Sequence, residues 1–292
     1  MTEHVTERLR HLAAMASVEV TPKAARDLGE IGEALPAGTT VYITALPGSE
    51  LDELIGGAKA VRDAGHVPVP HLPARAISGP DVLDRLLGRL REGADVDDVL
   101  VIAGSVKSQV GEWSSSMDVL RSGLLERHGI VRAGVAGHPE GSPDIPPEVA
   151  RAAVVEKNRH AEQSPIDFRI VTQFAFAAEP YLTYERKLRE AGNRLPVIAG
   201  LPGVTSPPAL LKYGIACGIG PSMEILRKQA GGLIKLATTR HWKPDDIARD
   251  LAAATAADPE ILIRGIHLFP FGGLQRSAEW LSETRAAAGL PA

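Results

Sequence analysis

Cysteine occurs once in 292 residues, at Cys217. That excludes an intramolecular disulfide and a cysteine-rich zinc site, and the lone thiol reads as a small core residue rather than a nucleophile. Aromatic side chains make up 4% of a chain that is 44% hydrophobic. The core must therefore be filled by Ala, Val, Leu and Ile, which suits strands buried on both faces. Charge of one sign is also scarce, with 32 basic against 36 acidic residues and a net charge of -4. No broad basic field exists to bind a nucleic-acid backbone. No apolar run approaches the length needed to span a membrane, and Met1 to Arg10 lack the apolar stretch of a secretory signal. The expectation is a cytoplasmic protein with neither membrane nor nucleic-acid partner.

Several chemical signatures are missing as well. There is no Walker A loop and no Gly-x-Ser-x-Gly elbow. No His-x-x-x-His pair or carboxylate cluster offers a metal site, so no metal is expected. Gly218-Ile219-Gly220-Pro221-Ser222 is too short for a dinucleotide fingerprint, and Pro221 would disturb its helix entry.

What is present is an alternation. Strand candidates run over 18–20, 40–46, 67–72, 99–103, 130–136, 168–174, 196–201 and 261–269. Most are continuous rather than alternating, as expected for parallel strands covered by helices. Between them lie segments with helical period and punctuation. An acidic first turn opens the stretch from Ser49, and Pro80, Pro180 and Pro244 each stand near a first turn. Strand and helix repeated about eight times in one domain, residues 1–292, predict a (β/α)8 TIM barrel. A doubly wound open sheet has the same periodicity.

In a barrel, polar residues at and just past the strand ends are the candidates for chemistry. They are Glu19, Thr44, His71, Ser105, His138 with Glu140, Gln173 and His267. Glu19 stands out, because Val18 and Val20 flank it in a β-branched run that Pro22 closes. That setting reads as a buried or cleft-facing acid; the residues alone leave open that it points to solvent. Gln173 has the plain alternative of satisfying a neighbouring backbone group. The loop 141–147 is rich in Gly and Pro and directly follows a strand, on the face where barrel sites are built. Ser114-Ser115-Ser116 reads as a helix start.

These segments, in order, resemble the methylenetetrahydrofolate reductase family. Ser17-Val18-Glu19-Val20-Thr21-Pro22 resembles its opening Phe-Glu-Phe-Phe-Pro strand. Residues 135–143 are similar to its Ala-Tyr-Pro-Glu-x-His-Pro segment, and Ile170-Val171-Thr172-Gln173-Phe174 to its Ile-Thr-Gln-Phe-Phe-Phe strand. Pro196 to Pro202 and Gly265-Ile266-His267-Leu268-Phe269 resemble its last two strands. The departures fall on the flavin contacts. The family's Leu-Arg-Gly-Asp strand end reads Ile102-Ala103-Gly104-Ser105, and its Tyr-Ala pair reads Ser115-Ser116. His138 replaces an aromatic residue, Ser142 a histidine, and Pro207 the folate-stacking Phe. Loss along consecutive loops resembles a divergent branch of the family that binds no flavin and uses NADH directly.

The resemblance implies reduction of 5,10-methylenetetrahydrofolate to 5-methyltetrahydrofolate, a tetrahydrofolate derivative being the small-molecule substrate. Glu19 would be the general acid, held protonated by apolar neighbours. Gln173, His267 and Ser105 would contact substrate, and Thr44, His71, His138, Lys157 and Arg159 the cofactor. NADH is preferred to NADPH because no basic cluster awaits a 2′-phosphate, and FAD is expected to be absent. Two alternatives stand beside this reading: an FAD-containing reductase, and a folate-dependent methyltransferase or folate-binding barrel without redox activity.

Overall fold

A computed structural model describes residues 2–46, 48, 50–104, 109–142, 145–217, 219 and 241–290. Eight parallel strands close on themselves in the order β1-β2-β3-β4-β5-β6-β7-β8. They are β1 (Ser17–Val20), β2 (Thr40–Ile43), β3 (Val67–Pro73), β4 (Asp98–Ile102), β5 (Arg132–Gly137), β6 (Asp167–Thr172), β7 (Val197–Pro202) and β8 (Ile263–Phe269). Closure comes from β8 pairing with β1 through Ser17 opposite His267 and Val18 opposite Leu268. The open-sheet alternative is thereby excluded, and the chain forms a (β/α)8 barrel.

Alternation along each strand sorts side chains between two cores. Val18, Val20, Val41, Ile43, Val99, Val101, Ala133 and Val135 point outward into the shell between barrel and helices. Tyr42, Val69, Leu100, Val171 and Ile198 form a separate apolar cluster, with Ile102 packed against it, inside the barrel. Gly134 on β5 is the small partner this interior needs, since a Cβ there would come within 2.8 Å of Leu100 Cδ1.

The helices expected from Pro80, Pro180 and Pro244 are Pro80–Ala94, Glu179–Glu190 and Asp245–Ala257. The serine run starts helix Ser116–Leu120, where the Asp118 carboxylate accepts from the backbone N–H of Ser114 at 2.9 Å and Ser115 at 2.8 Å. Burial alone would raise the Asp118 carboxyl, but these backbone donors hold it below the usual carboxylate range. Among the described residues no helix is long and apolar enough to cross a membrane.

The N-terminal end of the barrel is tied by charge. Asp98 accepts from Arg169 Nη2 at 2.9 Å and from Arg132 Nε at 3.3 Å. Arg169 also donates to the Tyr42 hydroxyl from Nε at 2.9 Å and Nη2 at 2.6 Å. Burial raises the Tyr42 phenol to about 12 against the opposing pull of Arg169, so it stays protonated.

Candidate active site

Glu19 lies one residue before the end of β1 and points into the barrel mouth, its side chain 20% exposed. Its flanking valines do not line its pocket, because successive strand residues face opposite sides and both belong to the outer shell. The expected apolar neighbours are replaced by two imidazoles. His71 Nε2 on β3 stands 3.5 Å from Glu19 Oε2, and His267 Nε2 on β8 stands 3.8 Å from the same oxygen. Three sequence-expected residues from three strands thus meet at one atom.

His267 is 1% exposed. Its Nδ1 is 2.9 Å from Ser17 Oγ, and its ring meets Tyr42 and Phe269 edge-on at 4.6 and 4.7 Å between centroids. Burial lowers His71 from the ordinary imidazole value to about 4, with Glu19 pulling upward and His267 downward, so His71 is neutral at physiological pH. His71 Nε2 and Thr44 Oγ1 are both buried without a hydrogen-bond partner. Buried polar atoms of this kind are usually satisfied, which marks both as places for a ligand atom or an approaching carboxyl group.

Gln173 follows β6 directly. Its Oε1 accepts from the Phe174 backbone N–H at 3.1 Å, and its own backbone N–H donates to Gly137 O at 2.8 Å. The carbonyl end therefore serves the backbone, and the Nε2 end hydrogen-bonds to none of the described residues. Beside it, Phe174, Phe176, Leu210 and Ile219 form an apolar cluster to which Phe269 and Phe271 pack. Four of the chain's five Phe residues gather here. Tyr213 stacks on Phe271 at 4.5 Å. The helix Pro207–Ala216 begins at Pro207, where the resemblance puts a stacking Phe; the aromatic surface nearby comes from Tyr213 and Phe271 instead. Cys217 packs against the same cluster, and burial raises its thiol with a further contribution from Glu19. Both effects disfavour a thiolate.

Lys157, in the last third of helix Pro147–Ala161, is 8% exposed and hydrogen-bonds to none of the described residues. Burial lowers its ammonium to about 8, opposed by Glu156. His138, just past β5, is lowered too, by burial first and by Lys157 second. Arg159 is exposed. Residues two apart on a helix do not share a face, so Lys157 and Arg159 are divided between interior and solvent. Ser105 lies outside the described residues. Among the described residues no group of His, Cys, Asp or Glu could hold a metal ion.

Sequence reasoning passed over Ser17, Tyr42, Asp98 and Arg169. The signal was available for two of them: a charged residue within or abutting an apolar strand, the pattern that drew attention to Glu19.

No family model matches the chain. Among solved structures, the dihydropteroate synthase of Thermus thermophilus is 17% identical with a TM-score of 0.47, over 93% of this chain and 92% of that one. A 3-dehydroquinate dehydratase from Aquifex aeolicus is 12% identical with a TM-score of 0.48, over 93% and 97%. Dihydropteroate synthase of Yersinia pestis, solved with a pterine-sulfa conjugate, is 12% identical with a TM-score of 0.46, over 94% and 93%. Likeness at this level does not bear on function.

Proposed function

We propose that this chain is an enzyme that reduces 5,10-methylenetetrahydrofolate to 5-methyltetrahydrofolate, with NADH rather than NADPH as direct hydride donor and without flavin. The observation that carries the reading is Glu19, a carboxyl group at the C-terminal mouth of the barrel with two imidazoles on one of its oxygens. Barrel active sites are built at that mouth, and the order of strand motifs resembles that of the reductase family.

The five-membered ring of the substrate must open before its one-carbon unit accepts a hydride. Glu19 gives a proton to N10, the bond from N10 to the bridging carbon breaks, and an iminium forms at N5. Gln173 Nε2 donates to the pterin and orients it, with Ser105 a further substrate contact. Phe269, Phe271 and Tyr213 form an apolar wall for the flat rings. Bound NADH supplies the hydride. The residues fit such a cofactor through Thr44 Oγ1, an unpartnered hydroxyl, and Lys157, a buried ammonium with no hydrogen-bond acceptor among the described residues. His138 and Arg159 are the remaining candidates, Arg159 from the solvent-facing side of its helix. With acid, substrate and cofactor held together, proximity and orientation supply much of the acceleration.

The test is an anaerobic assay of NADH oxidation with 5,10-methylenetetrahydrofolate, run with and without added FAD. One 5-methyltetrahydrofolate should appear for each NADH consumed, at a rate FAD does not change. NADH consumption that ignores the folate, or that requires FAD, overturns the reading.

A further inference from the structure

We propose that Ser17, His267 and His71 are positioning residues that bind the anion left on Glu19, fixing Oε2 and turning Oε1 to the ligand. The inference rests on the general-acid role given to Glu19 above.

Both imidazoles approach the same oxygen, at 3.5 Å from His71 and 3.8 Å from His267. Oε1 has no partner among the described residues, so it is the oxygen left to face substrate. Hydrogen-bond bookkeeping then fixes the tautomer of His267. Ser17 is 3% exposed, and the only acceptor within reach of its hydroxyl among the described residues is His267 Nδ1 at 2.9 Å. If Nδ1 carried the proton, it would donate to Ser17 and leave the serine O–H buried and unspent. A Ser17 hydroxyl donating to Nδ1 leaves no such orphan. Nε2 of His267 then carries the hydrogen, on the nitrogen that stands 3.8 Å from Glu19 Oε2. His71, neutral and with Nε2 otherwise unpartnered, supplies the second donor.

When Glu19 gives up its proton through Oε1, the charge that appears on the carboxylate has two ring nitrogens within 3.5 and 3.8 Å of Oε2, near enough to close into hydrogen bonds with the anion. Donors held by the fold need less reorganisation around a new charge than water does. Other titratable groups around the pair keep fixed states. Tyr42 from β2 stays protonated, Cys217 is held toward the thiol, and Arg169 with Asp98 is engaged beneath Tyr42.

The inference separates from the reaction assignment by experiment. Nitrogen NMR of the wild-type histidine rings at neutral pH reads the tautomer directly, whatever the protein catalyses. His267 should carry its hydrogen on Nε2, and Ser17→Ala should shift that equilibrium; an Nδ1–H tautomer in the wild type overturns the proposal. In turnover, His71→Ala should lower kcat about 10- to 100-fold while the KM for methylenetetrahydrofolate changes less than about threefold. The pH at which kcat falls off should move upward, because the anion has lost a donor. His71→Gln, which keeps an N–H near the Nε2 position, should recover most of the rate. An unmoved pH profile, or loss expressed in KM alone, also overturns it. If the wild type oxidises no NADH with the folate, the reaction assignment fails and the tautomer measurement still decides the relay.

Discussion

Lys157 holds an ammonium group out of water with no hydrogen-bonded counter-ion among the described residues. Displacement from 10.5 to about 8 by burial corresponds to roughly 3 kcal/mol of folding free energy at neutral pH. The sign follows from proton counting. Below about pH 8 folded and unfolded chains both carry the proton, and the fold bears the full burial cost. Between 8 and 10.5 the folded chain releases its proton first, the unfolded chain binds more, and stability rises with pH. Lys157→Met should therefore raise the midpoint of thermal unfolding at pH 7, and the gain should shrink as the scan is repeated toward pH 10. If Lys157 receives an anionic part of the cofactor, the same variant should show a raised KM for NADH. For Glu19 the expectation is opposite in kind: Glu19→Gln keeps the unfolding midpoint and folate binding but lowers kcat by about 10²- to 10⁴-fold. Near-wild-type turnover would remove Glu19 from the chemistry. Its prominence in the sequence came from flanking valines that turn out to face away, so the position was legible while its surroundings were not. The imidazoles that do surround it lie about 50 and 250 residues further on, a juxtaposition no local pattern encodes.

Strands β2, β4, β5 and β6 are joined at the N-terminal end of the barrel by Tyr42, Asp98, Arg132 and Arg169. The end of a barrel opposite its active site is where polar residues serve stability. Asp98, 4% exposed, is the shared acceptor of two guanidinium groups. Asp98→Ala would leave Arg169 buried without its carboxylate, a change that costs about 3 to 5 kcal/mol. Urea unfolding should show the midpoint falling with its slope unchanged; a loss below about 1 kcal/mol would mean that Tyr42 alone satisfies Arg169. At this scale the sequence was readable in type and less so at edges. All eight apolar runs became strands because a doubly buried strand leaves a continuous apolar signature. β4 begins at Asp98, one residue before the run beginning at Val99, and β2 stops at Ile43 rather than 46. Asp98 was missed because a charge reads as an end to an apolar run, and inside a barrel it can instead be an inward-facing strand residue.

For the whole molecule, closure of the barrel decides what the strand ends can do together. Because β8 returns to β1, His267 and Glu19 share one mouth although most of the chain separates them, and Gln173 and Thr44 end on the same rim. If no flavin binds, as proposed from the resemblance at Ala103 and Ser115, hydride cannot be stored on the protein between half-reactions. NADH and methylenetetrahydrofolate must then occupy the mouth at the same time. A flavin enzyme would accept the hydride, release NAD, and only afterwards bind folate, so double-reciprocal plots at several fixed folate concentrations would run parallel. Direct transfer requires a ternary complex, and its plots intersect. The purified protein should accordingly lack a flavin absorbance band, and initial rates should give intersecting lines whose slopes depend on both substrates. Parallel lines together with stoichiometric flavin would restore the two-step mechanism and make Glu19 the acid of its second half alone.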